Sequence, residues 1–287
     1  MLNLKVWFLA ARPKTLFVSM APVLLGWALA CHYGVFNFLP AIICLVFALL
    51  AQITSNFIND YFDFVKGSDR DDRLGPERAV ASGAISAERM LRVTVITMCA
   101  ALLLGLSLVH YGGPCLIFVG AFVALFAFAY SGGPCPLSYL GLGDIAVLVF
   151  YGIVPVTFTY YVQGLNFPFK VIVSSIAVGL VGVNLLIVNN YRDVEADKIS
   201  NKKTTVVRFG RKTMSAVYLS DCVVASLLGF LVSGTLWIVP SLLFMVVSVM
   251  LYKKLISLEG KALNGVLGLT SFNVLIYAVL LSITLIV

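Results

Sequence analysis

The chain has 287 residues, 61% of them hydrophobic and 11% charged, with a formal net charge of +7 and a mean hydropathy of +1.02. A soluble domain carries roughly 25% charged residues, so a soluble enzyme is excluded. The basic residues sit between apolar runs, so the positive sign describes membrane topology rather than nucleic-acid binding.

The apolar runs recur along the whole chain and are long enough to cross a bilayer as helices, since a barrel would show alternation instead. Met1 to Thr15 is short and basic, carries Trp7 and Phe8, and reads as lying along the cytoplasmic membrane surface. Arg12-Pro13-Lys14-Thr15 opens the first span, with Pro13 suited to a helix start. Arg12 and Lys14 either anchor headgroups or reach a phosphate. No small-residue cleavage site follows, so this run is a span and not a signal peptide.

Spans are predicted at about Leu16–Ala30, Leu39–Ile58, Met90–Val109, Cys115–Tyr130, Ile145–Val162, Val171–Val188, Met214–Val232 and Leu236–Leu251, and from Asn264 to the end. Span two ends with Gln52, Ser55 and Asn56, which should face protein or a cavity rather than lipid. Pro155 is expected to bend span five. Asp144 either caps that span or lines a cavity. The loops after spans two, six and eight are basic, and those after spans one, three, five and seven are nearly free of lysine and arginine. This predicts nine spans with the N-terminus in the cytoplasm. His32 and His110 fall at the outer ends. The six cysteines form no CxxC pair and read as small hydrophobes.

Two hydrophilic stretches interrupt this pattern. Asn59 to Arg78 reads NDYFDFVKGSDRDDRLGPER, and Asn189 to Lys203 reads NNYRDVEADKISNKK. Both follow even-numbered spans and share the pattern Asn, any residue, Tyr, any residue, Asp. If helical, each places its oxygens on one face: Asn59 and Asp63 in the first, Asn189, Asp193 and Asp197 in the second. Two facing rows of hard oxygen ligands suit Mg2+. Lys66, Arg70, Arg73, Lys203 and Arg208 beside them are placed to neutralise a diphosphate. No Walker-type loop, histidine cluster or cysteine ligand set is present, which argues against a nucleotide kinase or a zinc enzyme. A diphosphate at the inner mouth of an intramembrane cavity implies a lipid tail among the helices. Its departure leaves an electrophilic carbon that Tyr61, Tyr130, Tyr139 and Tyr191 can stabilise. A secondary transporter is the competing class, but it would place its charges near the bilayer midplane.

With these motifs in hand, the chain resembles the UbiA superfamily of intramembrane prenyltransferases, and within it the MenA branch. The resemblance rests on ARPKT from Ala11, on NDYFD, KGSD and DDRLGP in the first motif, on YLGLGDIAVLVFYG from Tyr139, and on NNYRDVEADKISNKKT in the second. It implies an all-α bundle of nine transmembrane helices, one membrane-embedded domain over 1–287, and two aspartate-rich cytoplasmic loops at 59–88 and 189–212. It implies Mg2+-dependent transfer from a polyprenyl diphosphate to an aromatic acid acceptor, 1,4-dihydroxy-2-naphthoate in the MenA branch, with loss of CO2. A hydroxybenzoate or a haem precursor is the alternative acceptor.

The resemblance assigns Asn59, Asp60 and Asp63 to the first metal-diphosphate motif. Asp193 and Asp197 belong to the second, with Asn189 and Asn190 beside them. Asp60, Asp63, Asp193 and Asp197 are the expected catalytic carboxylates. Where the broad pattern has a third aspartate this chain has Gly67, and Asp69 follows as a candidate ligand. Arg12, Lys14, Arg78 and Arg208 are candidates for the acceptor carboxylate, with Tyr130, Tyr139 and Asp144 also expected at the acceptor. The implied location is the bacterial inner membrane, and nothing points to an obligate protein partner.

Overall fold

The computed structural model describes residues 4–67, 74–76, 78–131 and 136–287, and the described residues are helices and turns. A short helix, α1 (Leu4–Ala10), precedes a turn in which Arg12 takes a left-handed conformation (φ 53°). Pro13 then starts α2 (Pro13–His32), where its missing N–H costs nothing. Asn37 accepts the Leu39 amide at 3.2 Å and so starts α3 (Phe38–Val65). Ser86 caps α4 (Ala87–Ser107), and one further turn, α5 (Val109–Gly112), leads to α6 (Cys115–Ser131). A single turn, α7 (Leu137–Leu140), precedes α8 (Gly143–Leu148), a π-helical turn (Val149–Ile153) and α9 (Val154–Gly164). α10 (Phe169–Ile199) is followed by α11 (Thr205–Ser233), which breaks at Gly210 (φ 80°). The 3-10 turn Gly234–Trp237 joins it to α12 (Ile238–Ser257), and α13 (Leu263–Ile286) closes the fold.

Seven stretches among the described residues are long and apolar enough to cross a membrane. One of them, Thr205–Ser257, runs through both α11 and α12, and Cys115–Tyr130 is a shorter apolar helix. The chain is therefore an all-α, multi-pass membrane protein. Helix α10 is its centre. It packs against α11, α13, α8, the π turn and α2, and 72% of its most apolar window is buried. A Cβ at Gly152 would stand 2.4 Å from the Gly179 Cα. Only glycine at both positions lets the π turn press against α10. Leu103, Phe118, Leu125, Leu242 and Val246 point outward, as a lipid-facing surface requires.

One expectation needs correction. The acidic stretches do not begin as loops. At 1.5 Å per residue α3 is about 42 Å long, more than the ~30 Å hydrocarbon core, so its last two turns emerge still helical, with Asn59 and Asp63 on them. Nothing breaks the chain before Ser200, so α10 likewise carries Asn189, Asp193 and Asp197, and only 200–204 separates it from α11. Span five carries a π turn at Val149–Ile153, directly ahead of Pro155, where the proline leaves the carbonyl four residues back without its helical donor.

Candidate active site

On α3, Gln52, Asn56, Asn59 and Asp63 recur every three or four residues and form one stripe. On α10, Asn189, Asp193 and Asp197 do the same. Both stripes line one cavity of about 680 Å³, walled also by α2, α8, the π turn and α9. The cavity is graded along its length. Its mouth carries Asp63, Asp193, Asp197, Arg12, Lys14, Arg78, Arg192 and Lys202, and its far end is apolar, with Val23, Phe47, Leu108, Leu116, Phe158 and Val162.

Two of the carboxylates at the mouth are held by arginines. Arg78 forms an ion pair with Asp63. Arg192, 3% exposed, holds Asp193 by Nε to Oδ1 at 2.7 Å and Nη2 to Oδ2 at 2.5 Å. Its other contacts reach Asn189 Oδ1 at 2.8 Å and Asn264 Oδ1 at 2.6 Å. Asn264 in turn donates to the Leu74 carbonyl at 2.8 Å, tying α13 to the segment after the first motif. Asp197 is buried and lies within electrostatic reach of Lys202, Asp193, Arg192 and Asp63. The two motifs therefore meet in one electrostatic unit.

Beyond the mouth lies a polar belt. The Gln52 carbonyl oxygen accepts from the Tyr151 hydroxyl at 2.6 Å and from Ser19 at 3.0 Å. The Gln52 amide donates to Asn56 at 3.3 Å and to Thr15 at 3.4 Å, and Asn56 donates to the Ala11 carbonyl at 2.9 Å. The expectation that Gln52, Ser55 and Asn56 face a cavity is met.

Of the residues picked out in the sequence, the cavity wall brings together Asn59, Asp63, Asn189, Asn190, Asp193, Asp197, Arg12, Lys14, Arg78, Tyr130 and Asp144. Asp144 makes no side-chain cap for α8, which decides between its two readings. Asp60 is not on the wall. It is 2% exposed, and its carboxylate accepts the Ala79 and Val80 amides at 3.1 Å each, so it fastens the 78–80 segment to α3. Lys66, Lys203, Arg208 and Tyr139 are also off the wall. Arg208 donates to the Leu140 carbonyl at 2.8 Å, and the Lys203 amide donates to the Tyr139 carbonyl at 2.9 Å. Lys66 and Lys202 both stand over the Tyr139 ring, at 5.4 and 5.0 Å from its centroid. Burial lowers the Lys66 ammonium pKa from its ordinary value, Asp63 opposes the shift and Lys202 adds to it. Asp69, Arg70 and Arg73 lie outside the described residues. Sequence reading passed over Arg192 and Lys202. The signal for Arg192 was its place between Asn189 and Asp193, where a buried cation needs several acceptors.

The donor set fits a hard cation arriving with its phosphate. Carboxylate and amide oxygens face one space from two helices. Among the described residues no three acidic, histidine or cysteine side chains stand close enough to hold a metal alone. Mg2+ is commonly bound in this way, by one or two carboxylates with phosphate oxygens completing its shell.

A sequence profile of the UbiA prenyltransferase family matches residues 19–285. The chain is 36% identical over 243 residues to the 1,4-dihydroxy-2-naphthoate octaprenyltransferase of Escherichia coli (strain K12), covering 81% of this chain and 79% of that protein. It is 35% identical to the protein of the same name from Mycobacterium tuberculosis, covering 82% and 81%. Its fold is similar to that of a UbiA homolog from Archaeoglobus fulgidus bound to DMAPP and Mg2+, with a TM-score of 0.64 at 15% identity, covering 96% and 98% of the two chains.

Proposed function

The chain belongs to the UbiA prenyltransferase family, and from that premise we propose that it transfers a polyprenyl group from its diphosphate to 1,4-dihydroxy-2-naphthoate, releasing diphosphate and CO2 and giving demethylmenaquinol, the reduced form of demethylmenaquinone. The observation that carries this reading is the meeting of the two asparagine–aspartate rows at the charged mouth of a cavity whose far end is apolar. A diphosphate with a hydrocarbon tail matches that gradient. The shared name of the curated relatives supports the naphthoate as acceptor.

Asn59, Asp63, Asn189, Asp193 and Asp197 would hold Mg2+. Bound there, it neutralises charge on the departing diphosphate. Arg78 and Arg192 keep Asp63 and Asp193 turned toward the mouth. Lys202, on the same wall, adds positive charge for the phosphate oxygens. Tyr130, near Asp63, Asp197, Asp144 and Tyr151, offers an aromatic face to positive charge on the allylic carbon. The apolar far end keeps water from that carbon and shelters the tail. Arg12 and Lys14 are placed for the acceptor carboxylate, whose loss as CO2 restores the aromatic ring after the new carbon–carbon bond forms.

The helices are read as nine crossings with the N-terminus and both motifs on the cytoplasmic side of a bacterial inner membrane. The lysine and arginine asymmetry supports this. The test is incubation of the purified protein with Mg2+, 1,4-dihydroxy-2-naphthoate and polyprenyl diphosphates of several lengths, with product mass as the readout. Prenylated product 44 mass units lighter than simple addition, about the mass of CO2, is expected. Product with a hydroxybenzoate alone would overturn the acceptor assignment.

A further inference from the structure

Tyr151 joins two walls of the cavity. Pro155 has no N–H for the Tyr151 carbonyl four residues back, and the chain there winds as the π turn Val149–Ile153. In that turn the Tyr151 Cβ lies against α10 at Gly182, where an added Cβ would stand 3.8 Å from it. Its hydroxyl reaches α3 and donates to the Gln52 carbonyl oxygen at 2.6 Å. Ser55, about one turn further along α3, is a second hydrogen-bond partner. Tyr151, Gly182, Gln52 and Ser55 all line the cavity. The ring is therefore held as a crossbar from the α10 side to the α3 side.

Both helices give the same depth for this crossbar. Gln52 precedes Asn59 by seven residues on α3, and Gly182 precedes Asn189 by seven on α10. Seven residues make about two turns, keep to one face and span ~10 Å. The tail of a diphosphate held at the two asparagine–aspartate rows meets the ring at about that depth. One isoprene unit is four carbon–carbon bonds long, roughly 5 Å when extended. The first unit ends short of the ring, and the second lies against it. Phe158 in α9 also lines the cavity, seven residues beyond Tyr151, about two units deeper.

Resting on the function proposed above, we propose that Tyr151 is a specificity-determining residue that packs on the second isoprene unit of the donor and so sets the shortest tail that is held well. Gln52 and Ser55 occupy its hydroxyl, so the ring face is what it offers the tail. A flat apolar face packs well against the flat, apolar double bond of an isoprene unit. A five-carbon donor ends before this contact and gains nothing from it.

The test compares dimethylallyl, geranyl and geranylgeranyl diphosphates, which carry one, two and four units. Their apparent dissociation constants are measured as competitors of polyprenyl transfer by the full-length protein with Mg2+. They are measured again from the thermal stabilisation each gives the purified protein in detergent. The wild type should hold geranyl diphosphate about tenfold or more tighter than dimethylallyl diphosphate. Tyr151→Ala should lose about tenfold for geranyl and geranylgeranyl diphosphates, the scale of one aromatic contact. It should leave dimethylallyl diphosphate within about twofold, which also reports an intact fold. Tyr151→Phe keeps the ring and should keep most of the discrimination. Phe158→Ala should weaken geranylgeranyl diphosphate alone. Equal losses for all three donors in Tyr151→Ala, no loss for any, or a wild type that holds the five- and ten-carbon donors equally would overturn the crossbar alone. A wild type that neither transfers a prenyl group nor binds any of the three diphosphates would overturn the functional reading, and the crossbar with it.

Discussion

Arg192 grips the carboxylate of Asp193, its neighbour in the chain, through two hydrogen bonds of 2.7 and 2.5 Å. Successive residues on a helix point about 100° apart, so the guanidinium reaches back around α10 to make this fork. The same group holds Asn189 and Asn264, which makes it the brace of the second motif. Replacing it with lysine removes the planar fork while keeping the charge. Arg192→Lys should lower activity or metal affinity about 10- to 100-fold, as loss of a residue behind a metal ligand commonly does. Transfer rate against Mg2+ concentration is the measurement, and an unchanged Mg2+ requirement would remove Arg192 from this role.

Asp63→Asn and Asp193→Asn should each cost about a hundredfold in transfer rate at saturating Mg2+, because each removes charge from the site where the diphosphate departs. Asp60→Asn is the contrast. Its carboxylate holds two backbone amides, so its loss should appear as about 1–3 kcal/mol of stability, with metal dependence retained in the folded fraction. Near wild-type rates for both Asp63→Asn and Asp193→Asn would sink the two-motif site.

Stripping divalent metal with excess chelator should abolish transfer, and Mg2+ should restore it. The wall offers oxygen donors on two helices and no cluster of softer ligands among the described residues. Full turnover in chelator after removal of tightly held metal would count against any metal role.

Gly152→Ala should destabilise the protein by about 1–3 kcal/mol, the usual range for an overpacked core. The added methyl would meet the Gly179 backbone, which cannot move aside as a flexible side chain would. Gly120→Ala is the control, since a Cβ there has nothing within 4 Å. Thermal unfolding in detergent distinguishes them, and equal melting temperatures would mean that the π turn and α10 tolerate separation.

A cysteine placed at exposed Glu195, near the end of α10, should react with an impermeant thiol reagent only from the cytoplasmic face. Labelling from the outer face of intact cells would invert the proposed topology.

Local pattern was enough to define the helices and the two oxygen rows. Hydrophobic runs of bilayer length must be helical to satisfy their backbone in lipid, and spacings of three and four residues put Asn59 with Asp63, and Asn189 with Asp193 and Asp197, on single faces whatever surrounds them. The same local rules extended the stripe back through Asn56 to Gln52. Packing decided what those rules leave open. Asp60 and Asp63 are indistinguishable by motif, yet one is buried against the Ala79 and Val80 amides and the other faces the cavity, because the 78–80 segment folds onto only one side of α3. Lys203 and Arg208 are as basic as Lys202, but their place relative to the 137–143 turn keeps them off the wall. The pairing of Asp144 with Thr205, and of Asn264 with Arg192, joins residues far apart in sequence. Such contacts depend on how close α8, α10, α11 and α13 approach, and that approach is set by details such as glycine facing glycine at 152 and 179, which no local pattern encodes.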